Sequence, residues 1–246
     1  MAKPMAIELP NGLMIPILYE DRVVLAIDKP AGWMLAPDDW DRTQRNLQRA
    51  LVSSVNARDY WAASRQLRFI RFVHRLDADT SGVLLLAKTS GALSALSELF
   101  ETRKVEKKYL AIVQGIPPQQ RWTCSLPIGE ERGVRGRMKV DHKNGKDAET
   151  QFEVAEVKGG RALIVARPLT GRTHQIRIHL AASGTPVIGD SFYGLKRAGD
   201  QPWLGLRSVG ISYRDPFQQW RVEVHAPDEF FLRQFGFGSS RSVDVK

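Results

Sequence analysis

Over its first forty residues the chain alternates short apolar runs with turn residues. The stretch GLMIPILYEDRVVLAIDKPAGWMLAP, residues 12–37, reads as short strands, with VVLAID half-buried and KPAG punctuating it through Pro and Gly. Between residues 38 and 70 Arg and Gln become frequent and Gly rare. There TQRNLQRALVSSV sets Leu47 and Leu51 four apart, as a helix would, behind Thr43 as its expected cap. VLLLAK, residues 83–88, is an unbroken apolar run up to its final lysine, the mark of a strand covered on both faces, and DTSG supplies the turn into it.

TSGALSALSELFETRK predicts a capped amphipathic helix carrying Ala92, Leu96 and Leu99 towards the core. KKYLAIVQG sets Tyr109, Ala111 and Val113 against Leu110 and Ile112 with strand period, and the Pro pair at 117–118 is expected to end it. A Gly-rich basic loop opens the stretch from residue 129 and leads into an alternating strand; RALIVARPLTG predicts another. In RTHQIRIHLAASG, Thr173 is positioned to cap a helix and Gly184 to end it, with Ile176 and Leu180 four apart. Strands outnumber helices without a repeating βαβ rhythm, which predicts an α+β fold on a largely antiparallel sheet flanked by helices and loops. A single domain over 1–235, with two lobes at most, and a frayed tail over 236–246 is the simplest organisation.

Charge changes the picture. Thirty-six Lys and Arg against 27 Asp and Glu leave a formal net charge of +9, and such an excess favours polyanions, nucleic acid foremost. Cys124 is the only cysteine, which excludes an intramolecular disulfide and a cysteine-rich zinc site. The N-terminal MAKPMAIELP lacks the apolar core of a secretory signal, and no apolar run approaches the length of a membrane span. A cytoplasmic protein without membrane attachment is expected.

Candidate chemistry gathers in RFVHRLDADTSGVLLLAK, residues 71–88. Asp77 lies just ahead of a rigid strand, where a reactive carboxylate can be held accurately. Asp79 suits a more local task, an Asx-type turn onto the amides near Ser81. His74, His174 and His179 invite a metal reading, but the last two are five apart and do not share a helix face, so no metal site is expected.

HRLDADTSGVLLLAK resembles the signature of the RluA-type pseudouridine synthases, which isomerise uridine within structured RNA. Three further stretches are similar to the same family in the same order: ILYEDRVVLAIDKPAGWML, KKYLAIVQG and RPLTGRTHQIRIHLAASGTPVIGDSFYG, the whole covering roughly residues 15 to 225. The resemblance implies the pseudouridine synthase catalytic fold, with a cleft across its sheet. It implies Asp77 as the essential aspartate, Tyr109 as the ring lying against the target base and Arg177 as the arginine pairing with the aspartate. No cofactor is implied, because breaking the bond between ribose and ring nitrogen, rotating the uracil and rejoining it through carbon involves no net redox change and no added group.

The chemistry agrees with these roles. An Arg within a few ångströms lowers a carboxyl's pKa by about 1–3 units and keeps it ionised. Tyr109 offers a flat apolar face and a phenol. The base must leave its stack, which costs a few kcal/mol and favours stem-loop targets in ribosomal or transfer RNA. Arg75 is placed to fill the vacated position, and Arg172, ahead of a helix N-terminus, to attract a phosphate or carboxylate. His74 and His174 are expected to hydrogen-bond the loops that position Arg75, Asp77 and Arg177 on the RNA, and Ile188 to pack on the base or tyrosine. The basic loop carrying Arg135, Arg137 and Lys139 would contact backbone phosphates.

Some family members carry an RNA-binding module ahead of the catalytic domain; the roughly 15 residues before the first matching strand are too few for one. The segment 37–68 matches no motif. A monomer acting on structured RNA is expected. A non-catalytic RNA-binding protein or RNA chaperone on the same scaffold is the alternative, since basic loops alone would suffice for it. A hydrolase using Asp77 and Asp79 as a carboxylate pair is disfavoured by their spacing.

Overall fold

The structure is a computed structural model that describes residues 2–9, 12–35, 45–195 and 202–238. Thr43, the expected cap, part of the unassigned 37–68 segment and most of the expected tail lie outside the described residues. The chain divides into two compact units, Met1–Glu106 with Gly210–Ala226, and Lys107–Val209 with Pro227–Lys246. Every pairing of named strands with a described register is antiparallel, as the α+β reading requires.

In chain order the first stretch gives β1 (Ala6–Glu8), β2 (Met14–Glu20), β3 (Val24–Lys29), α1 (Leu47–Asn56), α2 (Tyr60–Ala63), β4 (Arg71–Phe72), β5 (Ser81–Ala87) and α3 (Ser90–Glu101). β1, β2, β3 and β5 lie side by side in that order, and β4 also pairs with β5. The β2–β3 turn is closed by Asp21, whose Oδ1 accepts the amides of Val23 and Val24 at 2.7 Å each. β5 is buried from Gly82 to Ala87, which explains its unbroken apolar run: Val83, Leu85 and Ala87 face α3 through Ala92 and Leu96, and Leu84 and Leu86 occupy the other face. Leu99 is only partly buried against that cluster. Thr89 caps α3 by accepting the amide of Ala92 at 3.1 Å. In α1, Leu47 and Leu51 are buried as their spacing predicted, but the cap is Asn46, whose side chain accepts from the Arg49 amide.

The second stretch gives β6 (Val105–Gln114), β7 (Arg121–Cys124), β8 (Ile128–Glu130), β9 (Met138–Val140), β10 (Thr150–Lys158), β11 (Arg161–Pro168) and α4 (Gln175–Ala182). β12 (Leu206–Arg214), β13 (Arg221–His225) and α5 (Glu229–Gln234) follow. In the second unit the order is β6, β11, β10, β7, with β8 and β9 forming a separate hairpin; in the first, residues 210–214 of β12 pair with β13.

Three expectations change here. β6 is buried on both faces from Tyr109 to Val113 rather than alternating, and it ends at Gln114 before Gly115 at φ 91°, ahead of the prolines. Part of the basic loop is the β8–β9 hairpin, registered Glu130 to Met138. The cap of α4 is His174 in the left-handed region (φ 57°), without a side-chain cap bond, and not Thr173; Gly184 does follow the helix at φ 80°. Among the described residues no helix is long and apolar enough to cross a membrane.

Candidate active site

Two constellations, one in each unit, collect the residues singled out from the sequence. The first surrounds Asp77. Its carbonyl accepts the amide of Thr80 at 3.2 Å, closing the turn into β5. The KPAG turn holds that loop. Lys29 is 0 % exposed, and its ammonium donates to the carbonyls of Ala78 (2.7 Å), Thr80 (2.8 Å) and Pro30 (3.1 Å). The Gly32 amide donates to Ala78 as well, at 2.9 Å, from a backbone with φ 79° that glycine adopts readily.

The loop is thus tied on both sides of Asp79. Burial pushes the Lys29 pKa down to about 7, while the charges of Asp79 and Asp77 oppose the shift. Asp79 therefore acts on Lys29 through its charge, and the backbone bond of Thr80 closes the turn that Asp79 was expected to close.

His74 accepts the amide of Leu85 on Nε2 at 3.1 Å and stacks on Phe100 with centroids 4.7 Å apart. That arrangement anchors the segment entering Asp77 to β5 and α3 rather than leaving the ring for solvent. Arg75 is exposed, and Asp77 is half-buried.

The second constellation is built on α4 and the turn after it. Arg177 is buried and grips Asp190 bidentately, Nε to Oδ2 at 2.7 Å and Nη2 to Oδ1 at 2.8 Å. Asp190 Oδ1 also accepts the amides of Phe192 (2.9 Å) and Tyr193 (3.1 Å). The turn closes with Gly194 donating to the Asp190 carbonyl at 3.0 Å, and any Cβ at Gly194 would collide with that carbonyl oxygen. Burial by itself would raise the Asp190 carboxyl; the Arg177 hydrogen bonds and charge, with the two amides, outweigh it and hold the pKa below the usual carboxylate range.

Tyr193 links this turn to its surroundings. Its hydroxyl accepts the Met138 amide at 2.9 Å and lies 2.8 Å from His174 Nδ1. The Tyr193 ring also has the guanidinium of Arg177 at 5.3 Å and that of Arg137 at 5.8 Å.

Gln175, 4 % exposed, organises the entry to α4. Its Oε1 accepts from the Arg172 amide (2.9 Å) and the Thr170 hydroxyl (2.6 Å), and its Nε2 donates to the Glu149 carbonyl and Thr150 Oγ1, both at 2.9 Å. Arg172 donates through Nε to the Asp147 carbonyl at 2.9 Å, so the amide and one guanidine donor expected to attract an anion are already bonded internally. His179 is buried between Thr150 Oγ1 and the Leu126 carbonyl, at 3.0 Å from each.

Tyr109 lies on β6 opposite Ala166 of β11 and is 8 % exposed. Ile188 belongs to an apolar cluster with Leu110, Ile112 and Val165, so most of its surface packs on core residues. Arg137 pairs with Glu131 at 3.1 Å, while Arg135 and Lys139 are exposed.

Sequence reasoning missed Lys29, Gln175, Asp190 and Tyr193. Lys29 carried a signal in KPAG, where a lysine follows a buried strand. Asp190 and Tyr193 carried one in the Asp and Gly that bracket the turn DSFYG. Gln175 carried none.

An α+β scaffold that holds an aspartate in a clamped loop ahead of a buried strand and an arginine in a buried ion pair, on a strongly basic chain, fits an enzyme acting on nucleic acid. The model of the RNA pseudouridylate synthase family matches residues 23–182. The chain is 34 % identical over 223 residues to the dual-specificity RNA pseudouridine synthase RluA of Escherichia coli, covering 90 % of this chain and 96 % of that one. It is 33 % identical to the ribosomal large subunit pseudouridine synthase C of Vibrio cholerae, covering 89 % of this chain and 67 % of that one. Among solved structures, human RNA pseudouridylate synthase domain containing 1 superposes with a TM-score of 0.69 at 29 % identity, covering 89 % of this chain and 86 % of that one. The chain belongs to the RNA pseudouridylate synthase family. It is an RNA-modifying isomerase of the RluA type.

Proposed function

We propose that this enzyme isomerises uridine in a stem-loop of ribosomal or transfer RNA, with Asp77 as the reacting carboxylate. Tyr109 is the ring against the base, Arg177 supplies the positive charge that favours the ionised aspartate, and Arg75 occupies the position the extruded base vacates. The observation that carries the reading is the clamp on the Asp77 loop: Lys29 and Gly32 both donate to Ala78, and Lys29 also to Thr80. A surface turn with no chemical task needs no fully buried ammonium beneath it.

The mechanism follows from what such a loop can do. Breaking the bond between ribose and the ring nitrogen requires an ionised carboxylate near the sugar or the ring, and this holds whether it attacks either or removes a proton. A fixed loop supplies that group without reorganisation at the moment of reaction. Rejoining through carbon releases a ring proton to solvent, and the Tyr109 phenol is suited to pass it on. The exposed guanidinium of Arg75 offers a flat cation that stacks on bases flanking the extruded uridine. Basic side chains on the β8–β9 hairpin, Lys139 among them, attract the backbone. The protein acts as a monomer, and residues 1–235 form one catalytic domain; a family match that runs through parts of both units supports the second of these readings.

The test is tritium release from RNA carrying label at uracil carbon 5, which pseudouridine formation exchanges. Wild type should release label from ribosomal or transfer RNA, and Asp77→Asn should release none while binding the same RNA. Equal release from both would remove Asp77 from the mechanism.

A further inference from the structure

A groove of about 800 Å3 opens between the β2–β3 turn, the segment 65–69 and the start of α3, and the chemistry above makes no use of it. Five cations line it, Lys3, Arg22, Arg65, Arg68 and Lys88, against two carboxylates, Glu20 and Asp21. The carboxylates are already engaged. Glu20 receives Arg65 at 2.8 Å, Lys88 at 2.9 Å and Lys3 at 3.4 Å, and Asp21 receives the Tyr19 hydroxyl and the two turn amides. Five cations less two carboxylates leave three positive charges in one concavity. Arg22 and Arg68 are exposed and face no carboxylate among the described residues.

The first turn of α3, at Thr89 and Ser90, adds to this field. The helix has twelve residues with no acidic side chain in its first turn, so its positive end is not neutralised from within. Guanidiniums and helix amides together suit phosphate oxygens, which they can meet in bidentate fashion, and they carry no means of reading a base edge.

The location fixes what part of an RNA could reach it. β3 and β5 pair from Val24↔Ala87 at the groove to Lys29↔Gly82 beside the Asp77 loop. Five register steps at about 3.3 Å each separate the two ends by roughly 17 Å, farther than one nucleotide extends. We propose that this groove binds backbone phosphates of the RNA flanking the target, as an anchoring site at the far end of the strands that adjoin the Asp77 loop. Segment 65–69 thereby gives a task to the stretch that matched no motif. The proposal rests on the chain acting on RNA, and its test does not require turnover.

The experiment measures binding of a labelled hairpin RNA with a stem of about ten base pairs across a salt series, in wild type, Arg22→Gln/Arg68→Gln and Arg214→Gln/Arg233→Gln. The last pair removes the same charge from exposed arginines elsewhere. Each phosphate contact contributes about 0.7 to 0.9 to the slope of log affinity against log salt. The groove variant should lower that slope by about 1.5 and weaken binding several-fold at low salt, with an unchanged unfolding midpoint, and the control should keep the wild-type slope. Equal losses in both variants would mean net charge alone is responsible and would overturn the site. An unchanged slope in the groove variant would also overturn it, leaving an acidic protein surface as the occupant to try. A wild-type protein that binds RNA through the groove but releases no tritium would count against the proposed function and leave the groove standing.

Discussion

Arg177 and Asp190 form a buried bidentate ion pair, with side chains 3 % and 0 % exposed and N–O distances of 2.7 and 2.8 Å. Thirteen residues apart, they tie α4 to the turn that follows it, so the guanidinium is oriented by the protein before any RNA arrives. Removing one partner of such a pair leaves a buried charge unmatched, at a cost of about 3–5 kcal/mol. Asp190→Ala should therefore lower the urea unfolding free energy by about that amount. A loss under about 1 kcal/mol would show that the turn relaxes to hydrate Arg177.

The same pair sets an acid limit. Asp190 is held below the usual carboxylate range, so the unfolded chain takes up its proton first as pH falls. Its contribution is complete above the ordinary aspartate pKa of about 3.9 and is lost as pH drops through the lower folded value. Stability of the wild type should fall more steeply than that of Asp190→Asn below about pH 4, and parallel curves would contradict the assignment.

Lys29→Met should remove the ammonium donor of the Pro30 and Thr80 carbonyls and leave Ala78 only the Gly32 amide, at about 1–3 kcal/mol for each buried group left unsatisfied. Because Lys29 is fully buried, tritium release should lose kcat with little change in RNA affinity. The pH dependence is distinctive. With a folded-state pKa of about 7 against an ordinary lysine value of about 10.4, the unfolded chain binds more proton between those limits. Wild-type stability should rise from about pH 7 to pH 10 relative to Lys29→Met; a constant difference would show that the ammonium titrates normally.

Tyr193→Phe keeps the ring beside Arg177 and Arg137 but removes the hydroxyl shared by Met138 and His174. Loss of these bonds should cost about 1–3 kcal/mol in all. Hydrogen exchange at the Met138 amide should accelerate, and RNA affinity should fall because the β8–β9 hairpin loses its tether. Unchanged exchange at Met138 would refute the link.

Arg75 is exposed, so Arg75→Ala should alter stability by no more than about 0.5 kcal/mol. Turnover should fall more on a paired or well-stacked target than on one already unpaired, because the missing side chain would have offset part of the extrusion cost. Equal effects on both RNAs would remove Arg75 from that role.

Much of this was legible from residue order. The unbroken run Val83–Ala87 announced a doubly covered strand, and α3 was readable from Ala92 and Leu96 because its apolar stripe meets the helical period. Capping was less legible. Asn46 and His174 displaced the expected caps, since a cap is set by where the backbone leaves the preceding segment, and several polar residues nearby were equally able by composition. Residue order places Ile188 for packing on the base or tyrosine, and its packing on Leu110 and Val165 adds contacts with strands far away along the chain.

The sequence by itself determined the strand-rich class, the basic charge and the four ordered motifs, because periodicity, composition and motif order are properties of the linear chain. Only the tertiary structure decided that Lys29 sits beneath the Asp77 loop, that Asp190 holds Arg177 and that Tyr193 bridges Met138 and His174. Those pairings bring together groups separated by 13 to 55 residues. Each exists because a polar group folded away from water must find a partner there, and which partner it finds is set by the packing of the strands and helices, which no local pattern encodes.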